Sequence, residues 1–368
     1  MVLVVCVATV VGVRAARGGA QPLFSTQCTQ ESAIAQLPIR RRLAQMMMVG
    51  VDARGPQGAL AVVTSEQVGG IFLTGSATGL LSGNALWQVQ DTAVVPLAVA
   101  VDDEGGRVQR IDALDGQLPS PRWMAANLRI EQVYELAVKR GSRLRARGVT
   151  IDFAPSVDVS SQPNNAVIGD RSFSSDPQTV TRYAGAFAQG LRAAGVLPVF
   201  KHFPGHGRAI GDSHRGVVST PPLTELREVD LVPYRQLLDG RPAAVMVGHL
   251  DVPGLTEPGT PASISPAALA LLRDRFRFTG MVLSDDLGAM AAITDRVDLP
   301  EAVRRSLTAG VDMALWVTTG RLTEVLDHLE QAVVEGSLPQ ARVNDAVAHV
   351  LATKAVDLCS AAHRTDRW

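Results

Sequence analysis

The chain has 368 residues, is 46% hydrophobic and carries a formal net charge of −1 with histidine neutral. That length supports a large buried core, and α/β barrels of about 250 residues form single domains. Balanced charge without a basic block or an acidic tail argues against nucleic acid or an anionic membrane surface as partner. Aromatic residues make up only 4%, few for the stacking rings of a long polysaccharide groove, so a small ligand is the expectation and no protein partner is implied.

Residues 1–22 read as an export segment. Val2–Val13 is an apolar run too short to span a bilayer, and small residues follow at Ala15, Ala16 and Ala20. This resembles the apolar core of a secretory signal, although the basic stretch that should precede it is missing. The reading predicts a secreted or cell-envelope protein; a buried strand or helix over the same residues would leave it cytoplasmic. Cys6, in "VLVVC", lacks the small residue that precedes a lipidated cysteine. Cys28 and Cys359 lie near the two ends of the remaining chain. The termini of a compact domain often lie close together, so an exported protein can join these two as a disulfide.

Eight short apolar runs follow in order. They are "MMMVGVD" (46–52), "GGIFLTG" (69–75), "LAVAVDDEGG" (97–106), "VTIDFAPSVDV" (149–159), "VLPVFKHFPG" (196–205), "AVMVGHLDVPG" (244–254), "GMVLSDDLG" (280–288) and "GVDMALWV" (310–317). Helical patterns lie between them, including 130–148 and 177–195, each ending in the glycine of a helix C-cap. Strand and helix alternating eight times predicts a parallel sheet, and strands apolar on both faces predict that it is covered on both. A single-domain (β/α)8 TIM-type barrel is the expected fold. An open doubly wound sheet is second, because "GVDARGPQG" lacks the glycine spacing of a dinucleotide-binding turn.

The unusual polar residues cluster at the ends of these runs: Asp102, Asp103 and Glu104; Asp158; Lys201 and His202; His249 and Asp251; Asp285 and Asp286. Barrel active sites sit at that end. Alternation along a strand predicts that only one of Asp285 and Asp286 faces the mouth, and likewise only one of Lys201 and His202 unless the strand bends. A strand-end aspartate can be a nucleophile, or both aspartates can cap the next helix. In "VDDEGGRVQR", Asp102 can accept hydroxyl hydrogen bonds and Arg110 can fork onto an oxygen, or the segment is a solvated turn. Arg171 lies in a long connection after the fourth run. In "GDSH", Asp212 and His214 share one face if extended, which makes an acid–base dyad. On the residues alone, His202, His206, His214 and His249 could instead hold a metal, as in barrel metallohydrolases. A phosphate loop is weaker, since no helix follows at the required spacing.

The four motifs "VDDEGGRVQR", "IGDRSF", "KHFPGHG…GDSH" and "VLSDDLGAM", in that order, resemble glycoside hydrolase family 3, and most of all its bacterial single-domain β-N-acetylglucosaminidases of the cell-wall recycling type. The resemblance covers about residues 38–355. It leaves 23–37 as an N-terminal extension and 356–368 as a tail, and it shows no second sandwich domain of the kind many family 3 β-glucosidases carry. It implies a retaining exo-β-N-acetylglucosaminidase acting on small glycans such as peptidoglycan fragments. Asp285 would be the nucleophile, His214 the acid/base and Asp212 its holder. Asp102, Arg110, Arg171, Lys201, His202 and His249 would bind the sugar, with no metal and no cofactor. A histidine donor needs no large pKa shift to work near neutral pH. A neutral imidazole would also tolerate an anionic acceptor, which leaves phosphorolysis open. The loop carrying "DSH" is expected to close before acid catalysis. The competing functions are a metal-dependent barrel hydrolase, a family 3 β-glucosidase and a non-catalytic sugar-binding barrel.

Overall fold

The structure is a computed structural model and describes residues 28–360. The expected export segment and Cys6 lie outside the described residues. Eight parallel strands close into a barrel in chain order, with β8 pairing back to β1. They are β1 (Met47–Asp52), β2 (Gly70–Thr74), β3 (Ala98–Val101), β4 (Ile151–Asp152), β5 (Leu197–Phe203), β6 (Ala244–Val247), β7 (Val282–Asp286) and β8 (Met313–Trp316). Each falls within one of the eight apolar runs. Helices connect successive strands, the longest being Ile130–Ala146 and Pro177–Ala193. No described helix is long and apolar enough to cross a membrane.

Alternation along each strand builds two cores. Met48, Phe72, Ala98, Ala100, Phe153, Val199, Ala244 and Leu283 point into the barrel, and Val350 from the last helix joins them. Their neighbours Met47, Val49, Ile71, Val99, Val101 and Val282 point outward into the layer shared with the helices. Alanines on β3 and β6 make room for Phe72 and Phe153, whose rings stack at 5.1 Å. Large residues facing small ones fill a barrel interior as a packed core rather than a pore.

Helix ends follow local chemistry. Pro177 opens its helix behind Asp176, whose carboxylate accepts from the backbone of Gln178 and Thr179. The final helix, Gln340–Thr353, brings the end of the described chain back to its start. There Cys28 and Cys359 form a disulfide with their Cα atoms 5.7 Å apart. Gln30 closes the same junction, donating to the Val356 carbonyl at 3.0 Å and accepting from the Leu358 backbone at 2.8 Å. A cross-link between residues 331 positions apart constrains the unfolded chain strongly. Reduction is therefore expected to cost about 2–4 kcal/mol, a fall of about 3–6 °C in Tm for a chain this long. Calorimetry with and without reductant measures it, and an unchanged Tm would mean the bond constrains nothing.

Candidate active site

The strand ends surround a cavity of 270 Å³, lined among others by Asp102, Arg110, Arg171, Lys201, His202, His214 and Asp285. Phe72 and Phe153 supply its apolar floor. The size suits one sugar ring rather than an extended chain.

Two departures from regular strands bring more polar groups into the mouth than alternation allows. The β5–β6 register shifts between Phe200 and Phe203, and the β7–β8 register shifts between Leu283 and Asp286. Lys201 and His202 both line the cavity, as do Asp285 and Asp286. The expectation that only one of Asp285 and Asp286 could reach the mouth is corrected: an irregular strand end does not keep the period of two. Their roles nonetheless differ. Asp286 accepts from the backbone of Gly288 at 2.9 Å and of Val317 at 3.2 Å, so it ties β7 to β8. Burial pushes its carboxyl up to about 6. Burial would raise Asp285 too, but the nearby His202 ring, the Asp286 N–H and the Lys201 charge outweigh it, and its carboxyl sits below the ordinary value. An ionised, almost fully buried carboxylate with one backbone donor is left facing the cavity.

Glu104, completely buried at the end of β3, anchors the cationic wall. Arg171 donates to it twice, at 2.9 and 2.7 Å, and the Lys201 ammonium lies 2.6 Å from the same carboxylate. Burial alone would raise the Glu104 carboxyl, but these two cations hold it far below the usual range. Lys201 also donates to Asp102 at 2.7 Å, and Arg110 stands 3.7 Å from Asp102 on its other side. Asp158 does the same for the imidazoles. It accepts from His202 Nδ1 at 2.7 Å and from the His206 backbone at 2.6 Å, which leaves His202 Nε2 beside Arg171 at 3.4 Å. The sequence reading gave Glu104 and Asp158 no role beyond their place at strand ends. A buried carboxylate with basic residues at neighbouring strand ends is the signal that could have found them. His206 also lines the cavity, with no hydrogen-bond partner for either ring nitrogen among the described residues.

The segment after β5 turns sharply. A Cβ on Gly207 would sit 2.2 Å from the Val159 carbonyl oxygen, so only glycine fits there. Beyond it, Asp212 and His214 meet through a turn rather than along an extended segment. One Asp212 oxygen accepts both the His214 backbone N–H and its Nδ1–H, each at 3.0 Å. This fixes the tautomer and leaves Nε2 for the cavity, while Asp212 itself stands behind the ring. The loop is held: the Ser213 carbonyl accepts from Ala292 at 3.0 Å, Ile210 and Ser219 pair, and Thr220 donates to the Asp251 carbonyl.

His249 does not reach the cavity, and its expected sugar contact is corrected. Its Nε2 donates to the Asp286 carbonyl at 2.8 Å and its Nδ1 accepts from the Ser263 hydroxyl at 2.6 Å. Both nitrogens are spent on holding β7, and burial lowers its pKa, so it stays neutral. The four histidines also fail to converge as metal ligands. Among the described residues, the one cluster with metal-like spacing is Asp312, Asp345 and His349, and Asp312 opens β8 at the other end of the barrel. There Arg273 and Arg342 already neutralise it.

Barrel enzymes that cleave glycosides need an ionised carboxylate and a proton carrier around one sugar-sized site at this end of the strands, and a carboxylate, Asp285, and an imidazole, His214, both line this cavity. The chain belongs to glycoside hydrolase family 3: the family model "Glycosyl hydrolase family 3 N terminal domain" matches residues 38–353. It is 53% identical over 336 residues to the β-hexosaminidase LpqI of Mycobacterium tuberculosis, covering 89% of this chain and 86% of that protein. The solved structure of M. tuberculosis LpqI superposes with a TM-score of 0.85 at 52% identity, over 90% of this chain and 98% of that one. The β-N-acetylhexosaminidase of Beutenbergia cavernae superposes with a TM-score of 0.79 at 30% identity, over 88% of this chain and all of that one.

Proposed function

We propose that this protein is a retaining exo-β-N-acetylglucosaminidase that releases terminal β-linked N-acetylglucosamine from small glycans such as peptidoglycan fragments. The observation that carries the reading is one cavity bordered by both the ionised Asp285 and the His214 imidazole that Asp212 orients. In the first step Asp285 attacks the anomeric carbon, the carbon–oxygen bond to the leaving group breaks, and His214 Nε2–H gives its proton to the departing oxygen. In the second, the now neutral imidazole takes a proton from water, and the hydroxide displaces Asp285 from the sugar. Asp102, Arg110, Arg171, Lys201 and His202 hold the sugar hydroxyls and the N-acetyl group. The disulfide at the chain ends supports an oxidising compartment and hence export.

The test is hydrolysis of 4-nitrophenyl N-acetyl-β-glucosaminide, with nuclear magnetic resonance of the first-formed sugar. Release of the β-anomer, at a rate unaffected by a chelator and well above that on the β-glucoside, is the expected result. An α-anomer would refute the double displacement. Loss of activity to chelator would restore a metal mechanism.

A further inference from the structure

The opposite end of the barrel holds a second and larger cavity, of 660 Å³. Its floor is apolar, with Ile151 and Leu197 where β4 and β5 begin, and the half-exposed Trp87 forms one wall. Three cations line it: Arg145 and Arg192 from the last turns of helices Ile130–Ala146 and Pro177–Ala193, and Lys354 from the end of Gln340–Thr353.

Cations at helix C-termini complement the helix dipoles, which is reason enough for one of them. It does not account for three converging on one cavity without a counter-ion. Arg192 donates to the Pro242 carbonyl at 3.2 Å and Lys354 to the Gln45 amide oxygen at 2.9 Å, both neutral partners. Asp91 faces the same cavity yet forms an ion pair with none of the three among the described residues. Elsewhere Arg140 pairs with Asp103 and Arg171 with Glu104, while the buried Arg42 has only the Asn344 amide oxygen. The cavity is thus positively charged at its edge and apolar at its base.

We propose that this N-terminal face carries a second binding site, for a small organic anion that joins an aromatic or apolar body to a phosphate or carboxylate group. The body packs on Trp87 and the strand starts, and the anionic group takes the hydrogen-bond donors of Arg145, Arg192 and Lys354. Burial pushes the free Lys354 amine down to about 7, and burial together with Arg241 lowers the Arg192 guanidinium. An anion among them favours their charged forms. Binding between pH 7 and 9 therefore draws a proton onto Lys354.

Isothermal titration of the disulfide-bonded protein with phenyl phosphate, phenol and inorganic phosphate tests the assignment. Phenyl phosphate should bind at one site at least tenfold more tightly than either fragment, take up a proton at pH 8, and resist displacement by saturating N-acetylglucosamine. Arg145→Gln combined with Arg192→Gln should weaken it tenfold or more, with unchanged hydrolysis of 4-nitrophenyl N-acetyl-β-glucosaminide. Lys354→Met should abolish the proton uptake. Should the double variant misfold, Trp87→Ala at the surface must weaken phenyl phosphate more than inorganic phosphate. The site is refuted by no binding, by inorganic phosphate binding as tightly as phenyl phosphate, by unchanged affinity in the variants, or by displacement with N-acetylglucosamine, which would put the anion among Arg110, Arg171 and Lys201.

Discussion

Asp285→Ala is expected to lower kcat for 4-nitrophenyl N-acetyl-β-glucosaminide by ~10⁴-fold or more, about 5 kcal/mol of lost transition-state stabilisation. The size follows from what the carboxylate faces. Asp285 is buried, ionised and held by the Asp286 N–H, so its oxygen arrives at the sugar with little solvent to shed. Removing it leaves no group at the tip of β7 to form the glycosyl-enzyme, because Asp286 is committed to the backbone of Gly288 and Val317. The same variant keeps Lys201, Arg171 and His202 in place, so it should bind N-acetylglucosamine as well as the parent does. Added azide should restore turnover and yield the α-glycosyl azide, since the small anion enters the space left by the carboxylate. Full activity in the variant, or a β-azide product, would show that the nucleophile is another residue.

Loss of the Glu104 carboxylate should be the most damaging change to stability around the cavity. The chain has buried one anion against two cations, and removing it leaves Arg171 without its carboxylate and Lys201 with Asp102 alone. Breaking a buried pair in this way costs about 3–5 kcal/mol, so Glu104→Ala should lower Tm by about 5 °C and raise KM severalfold as Arg171 and Lys201 lose their aim. Glu104→Gln keeps the shape and removes the charge, which separates packing from electrostatics. The pH dependence has a definite sign. The folded carboxyl lies far below its ordinary 4.5, so its contribution is fully present above that value and fades as pH falls beneath it. The gap in Tm between parent and Glu104→Gln should therefore be widest near neutral pH and shrink toward pH 3. A constant gap, or an unaltered Tm and KM, would remove Glu104 from the site's foundations.

Much of this architecture is legible in the chain. Runs of β-branched and aliphatic residues, each leading through a polar turn into a helical pattern, specify eight buried strands. The acids, lysine and histidines at their ends mark the mouth of the barrel. The legible part stops where a rule of local periodicity stops. Alternation separates Lys201 from His202 and Asp285 from Asp286, but register shifts at the ends of β5 and β7 put all four around one cavity. His249 shows the converse: its position at a strand end suggested a ligand contact, while the fold turned both ring nitrogens into protein.

The sequence by itself determined the barrel, because burial on both faces of eight strands is a local pattern of apolar residues that each run carries alone. It also determined which residue types crowd the mouth. Only the tertiary structure decided who partners whom. Glu104 and Arg171 are 67 positions apart, Asp158 and His202 are 44 apart, and the cations of the far cavity come from three helix ends spread between residues 145 and 354. Charges act through distance in space and through the water excluded around them, and neither quantity exists until the chain has closed on itself.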